Sequence, residues 1–227
     1  MPKRGREEAM PDAPIGEWTV RQFLDAVASD EPVPGGGAGA ALAGAGAAAL
    51  LHMVASLALR RATDPAVVAS LTSHRGKARA QERQFLDLAD DDVAAYRGVM
   101  SALALPRATP QEKAHRAAAL HQALARAAEV PLATARLATD ALALASEVAP
   151  FCPPVARSDL ATAVHLARAA AEAAVANVDA NALSLDESPF RRELAHARSE
   201  VSTAARAQAE AVLAPLEAAL QAWLDPP

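Results

Sequence analysis

The chain has 227 residues and a formal net charge of −5, with acidic and basic residues interspersed rather than blocked. That balance argues against a nucleic-acid partner, because gripping phosphates needs a basic footprint. Hydrophobic residues make up 52% of the chain but aromatics only 3%, so the apolar share is mostly alanine and leucine. This composition belongs to one all-α domain with a core of its own.

Residues 1–16 are charged, contain prolines and lack periodicity, so they are expected to form a flexible N-terminal tail ahead of one helical domain over 17–227. They contain no apolar signal-like run. The single cysteine, Cys152, can make no internal disulfide. Both features lead to the expectation of a reducing, cytoplasmic setting.

Thr19 followed by Gln22 is a capping box that opens a helix over 20–30. Pro32-Val33-Pro34-Gly35-Gly36-Gly37 then leads into a run of tiny side chains from Ala38 to Gly46, which begins a helix over 36–62. The prolines stiffen the approach, the glycines give access to backbone conformations closed to other residues, and the first amides form a natural anion site. The uncharged stretch Gly35–Leu59 is long enough to cross a bilayer. Alanine and glycine gain little from lipid, however, and His52 lies within it. The expectation is tight packing inside a soluble bundle, with no membrane partner. A helix so poor in bulk buries little area per residue, so it needs close neighbours on several sides, and a homodimer is expected.

Thr63-Asp64-Pro65 opens a third helix running to Leu105, with Gly76 a candidate break or kink. Thr109-Pro110 with Glu112 opens another over 110–148, with a candidate kink at Pro131. Phe151-Cys152-Pro153-Pro154 is a stop. Ser158 is expected to cap a helix to Leu183, and Ser188-Pro189 the last, to Leu224. No strand pattern and no repeat occurs. The spacing predicts an up-and-down bundle of five to six long helices.

Asp90-Asp91-Asp92 resembles a solvated charge run, but at ~100° per residue Phe85, Leu88, Ala89, Tyr96, Val99 and Met100 form one stripe, with Asp92 near its centre. Asp90 and Asp91 turn away. A carboxyl on a core face is either satisfied by a neighbouring helix or kept ready to move a proton, since burial raises its pKa. Asp159, Asn177 and Asn181 share one side of a later helix. Asp159, in the first turn, complements the helix dipole on the simplest reading. Two amides one turn apart on a small-residue face need partners. Arg60-Arg61 at a helix end are dipole partners or a clamp for an anionic tail. His52, His74, His115, His121, His165 and His196 show no metal-ligand spacing, so no metal is expected. His52 reads as a satisfied core group, and Cys152 has no nucleophile signature around it.

Taken in order, these segments resemble the cyclodeaminase/cyclohydrolase family of folate one-carbon enzymes over roughly residues 18–185. Pro-x-Pro-Gly-Gly-Gly stands at 32–37, with Val33 in place of the family's threonine and Ala38 in place of its serine. The Asp-x-Asp segment is similar to Asp90-Asp91-Asp92-Val93-Ala94-Ala95-Tyr96, Ser-Asp to Ser158-Asp159, and Asn-Val-x-x-Asn to 177–181. Arg61 is in register with a basic position, without the glycine that usually precedes the pair. Pro153 to Arg157 replaces an asparagine-containing loop.

The resemblance implies an all-α homodimer that binds a reduced folate in a groove at or near the subunit interface. It implies formiminotetrahydrofolate cyclodeaminase activity, forming 5,10-methenyltetrahydrofolate and ammonia. The alternatives are methenyltetrahydrofolate cyclohydrolase on the same pocket, or a non-catalytic or repurposed dimer. Asp92 would transfer the proton, with Asp90 second and Asp159 the third catalytic candidate, while Gly35, Gly36, Gly37, Arg61, Asn177 and Asn181 would hold the substrate.

Overall fold

The computed structural model describes Pro11 and residues 13–224, the side chains of a few residues near the C-terminal end excepted. Six α-helices follow in order: α1 Val20–Val27, α2 Gly36–Leu59, α3 Pro65–Ala104, α4 Pro110–Val148, α5 Arg157–Ala182 and α6 Pro189–Leu224. Short 3-10 turns stand at Ile15–Glu17, Ala149–Phe151 and Pro154–Ala156. Among the described residues there is no strand.

The helix starts follow local chemistry. In the α1 box, the Gln22 N–H donates to Thr19 Oγ1 at 3.2 Å and the Thr19 N–H donates to Gln22 Oε1 at 2.8 Å. Thr109 and Glu112 repeat this at α4. Asp64 accepts from the Ala66 N–H at 2.7 Å with Pro65 in the first turn. Each such cap contributes about 1 kcal/mol.

Five expectations need correction. The first helix stops at Val27 and the second at Leu59, each three residues short of the expected end. α3 runs unbroken through Gly76, where an added Cβ would meet open space, so that glycine costs only helix propensity. Ser158 does not cap α5, because the 3-10 turn Pro154–Ala156 feeds the helix directly and starts it at Arg157. The tail, lastly, was expected to stay loose to residue 16. Residues 1–10 and 12 lie outside the described residues, but Ile15 is only 5% exposed and packs with Phe23, Ala38, Ala41 and Ala89.

α2 is the most apolar helix and sits at the centre, against α3, α5 and α4; α6 lies on the outside of α4 and α5. By length and composition α2 could cross a membrane, yet in this bundle one side of it is core. Its small residues let neighbours in. A Cβ on Gly44 would fall inside the ring of Phe85, which is fully buried. Ala45, Ala48, Leu51, Val54 and Ala55 continue the core toward Leu142, Val164 and Ala167. The other side of α2, through Gly39, Ala43, Gly46, Ala49 and Met53, is only partly covered.

Candidate functional site

The first turn of α2 has orphan amides and no side chain of its own to cap them, since its N-cap is Gly35. The acceptor comes from another helix. Asp92 on α3 takes the Ala38 N–H on Oδ2 at 3.1 Å. The approach is so close that a Cβ on Gly37 would overlap the Asp92 carboxyl. On another flank, a Cβ on Gly36 would stand 3.4 Å from Asn177 Nδ2 on α5. The start of α2 therefore lies between Asp92 and Asn177.

None of the described glycines has a positive φ. The expectation that this loop needs glycine for unusual backbone angles is corrected: Gly37 is there for closeness, whereas a Cβ on Gly36 would make only ordinary contact with Asn177. The anion expected at the helix start is supplied by the protein itself.

Asp92 is half-buried above Phe85 and Ala89. Burial pushes its pKa up, and the hydrogen bond from Ala38 pulls it partly back. Burial is the larger of the two influences, so this carboxyl keeps its proton to higher pH than an exposed aspartate does. Its neighbours in sequence do other things. Asp91 pairs with Arg126 at 2.7 Å in solvent. Asp90 accepts the Ile15 N–H at 2.9 Å, tying the N-terminal turn to α3, so it is a structural tie rather than a group turned to solvent.

Asn177 donates to the Ala173 carbonyl one turn back on its own helix, at 2.9 Å. Asn181 donates to the Ala127 carbonyl of α4 at 2.6 Å and so fastens α5 to α4. The remaining candidates sit elsewhere. Asp159 is about 27 Å along α5 from Asn177, and Arg61 is about 36 Å along α2 from Gly37. The chain thus gathers Asp92, Gly36, Gly37 and Asn177 and does not bring Asp159 or Arg61 to them. Antiparallel helices explain this: the start of α5 adjoins the end of α2.

Sequence reasoning missed a cavity of about 580 Å³ beside this region, bounded by Trp18, Pro34, Asp90, Val93 and Arg97. The signal was available, because positions 90, 93 and 97 share one face of a helix. His52 sets Nδ1 3.2 Å from the Arg75 carbonyl. Burial raises the Cys152 thiol, which keeps it protonated and unreactive. Among the described residues no group of three or more His, Cys, Asp or Glu could hold a metal ion.

The sequence model of the formiminotransferase-cyclodeaminase family matches residues 19–200, which takes in every helix from α1 to α5 and the first part of α6. The chain belongs to that family. Methenyltetrahydrofolate cyclohydrolase of Methylorubrum extorquens is 39% identical over 178 residues, 78% of this chain and 86% of that protein. Formimidoyltransferase-cyclodeaminase of Sus scrofa is 31% identical over 93% of this chain, which spans only 39% of that longer protein. Among solved structures, formiminotetrahydrofolate cyclodeaminase of Thermotoga maritima superimposes with a TM-score of 0.81 at 26% identity, covering 91% of this chain and 99% of the other.

Proposed function

We propose that the chain acts on the one-carbon unit carried between N5 and N10 of tetrahydrofolate, with Asp92 as the proton-transfer group. The supporting observation is the carboxyl itself, half-buried and held on the Ala38 N–H at the glycine-lined start of α2. In the cyclohydrolase reaction, water adds to the methenyl carbon and gives its proton to Asp92. The carbon–N5 bond then breaks, Asp92 protonates N5, and the hydroxyl proton leaves as 10-formyltetrahydrofolate forms. In the cyclodeaminase reaction, N10 attacks the formimino carbon on N5, the N10 proton passes to the formimino nitrogen, and Asp92 donates the further proton with which ammonia leaves. Both need one group able to hold a proton near neutral pH.

The cyclohydrolase reading is favoured by the 39% identity to a relative of which the chain covers 86%. The cyclodeaminase reading is favoured by the structural neighbour covered over 99% of its length. Purified protein offered 5,10-methenyltetrahydrofolate and 5-formiminotetrahydrofolate separately decides between them. Turnover of neither overturns the proposal.

A second copy of the chain is proposed to cover the open side of α2. Gly39, Ala43, Gly46 and Ala49 let a partner helix approach closely, and Met53 is 36% exposed beside them. Sedimentation is expected to show a dimer, and a monomer at working concentration would remove this part of the account.

A further inference from the structure

Arg97 has no role in the chemistry above. It is exposed on α3, five residues and about 7.5 Å along the axis beyond Asp92, and it makes no ion pair or hydrogen bond among the described residues. It borders the cavity of about 580 Å³ that Asp90, Val93, Trp18 and Pro34 also bound.

Three walls of that cavity are fixed by other parts of the fold. The Trp18 indole N–H donates to the Ala13 carbonyl at 2.8 Å, which orients the ring. Asp90 uses Oδ1 on the Ile15 N–H and retains Oδ2 as an acceptor. Pro34 is buried, and Gly37, three residues later, touches Asp92. The cavity therefore begins at the same loop that carries the proton-transfer site. It runs from an aromatic and apolar wall to a single unpaired cation.

We propose that this cavity receives the p-aminobenzoylglutamate arm of the folate, with the ring against Trp18 and Val93, the amide N–H toward Asp90 and the glutamate carboxylates on Arg97. The inference rests on the functional reading above and assigns the arm to a part of the molecule which that reading leaves open. An aromatic ring, an amide and a pair of carboxylates find an apolar wall, an acceptor and a guanidinium along one face of α3. Arginine suits the last role because its planar fork donates two parallel hydrogen bonds to a carboxylate. Arg61, the cation that the family resemblance offers for the tail, is about 36 Å from Gly37 along α2 and cannot serve the same ligand within one chain.

The test pairs a truncated ligand with a truncated side chain. Wild type, Arg97→Ala and Arg97→Lys are assayed with the full substrate and with the tetrahydropteroate analogue that lacks glutamate. In wild type, removal of the glutamate is expected to raise KM about tenfold while kcat stays within about twofold, the pattern of lost uniform binding. Arg97→Ala is expected to raise KM about tenfold for the full substrate and to leave the analogue's KM unchanged, with Arg97→Lys between. Separately, p-aminobenzoylglutamate is titrated calorimetrically against p-aminobenzoate and free glutamate, and only the first is expected to give heat, which Arg97→Ala abolishes.

Equal KM factors for both substrates, or none for either, would overturn the assignment while turnover keeps the functional reading. Heat that depends on Arg97 without turnover of any folate would keep the arm site and overturn the reading. Heat from free glutamate alone, or none from any probe, would also overturn the assignment.

Discussion

The two ends of α2 are built on opposite terms. At its start Gly37 removes side-chain bulk so that a carboxyl from α3, partly withdrawn from water, reaches the backbone. At its end Arg60 and Arg61 stand exposed, and the start of α5 near them carries Asp159. Charge at a helix terminus is cheap when solvated, so the far end needs no partner to be stable. A half-buried carboxyl is costly and calls for a specific function or a specific bond. That difference in cost is the reason to propose the start of α2, rather than its end, as the place of the chemistry.

The largest effect that would break this contrast comes from Asp92→Asn. Turnover is expected to fall about 10²–10⁴-fold. Stability should move the other way. The folded pKa of Asp92 lies above its ordinary value of 3.8, so the folded chain holds its proton longer than the unfolded chain. The group's contribution to stability is present below 3.8 and is lost as pH rises through the raised value. At pH 7 the asparagine variant is therefore expected to melt no lower than wild type, and calorimetry at pH 4 and pH 7 checks the sign. A variant that unfolds at pH 7 would make Asp92 a structural cap.

Gly37→Ala is next. Its methyl cannot share space with the Asp92 carboxyl, so the helix start and the acid must separate. A loss of about 1–3 kcal/mol in urea melts and at least tenfold in turnover are expected. Asp90→Ala frees the Ile15 turn and is expected to cost about 1–2 kcal/mol, since a buried amide loses its acceptor. At the far end, Arg61→Ala and Asp159→Ala are expected to leave turnover within about twofold; a hundredfold loss from either would bring that end into the site. The smallest change is a gain. Gly76→Ala fills open space in mid-helix and is expected to add about 0.5–1 kcal/mol.

Much of the fold was legible because its signals are local. The pairs Thr19–Gln22 and Thr109–Glu112 lie within one turn, and both boxes form. The inward turn of Asp92 followed from helical spacing around Phe85 and Ala89. Other features depend on where distant segments meet. The partner of Asp90 comes 75 positions earlier, in a stretch that reads as a loose tail. Arg61 and Asp159 occur in the right order among the family motifs, yet order along a chain says nothing of which end of an antiparallel helix a residue occupies. Gly37 was legible as a glycine, but its reason was not, because only the neighbouring carboxyl distinguishes close approach from an unusual φ.

A crystal structure of the chain with a bound reduced folate tests the central claim most directly. The account predicts the one-carbon unit within hydrogen-bond reach of Asp92, about 2.6–3.2 Å directly or through one water, with the ligand against Gly36 and Gly37. A folate seated instead at the other end of α2, among Arg60, Arg61 and Asp159, with Asp92 far from the reacting carbon, would contradict it.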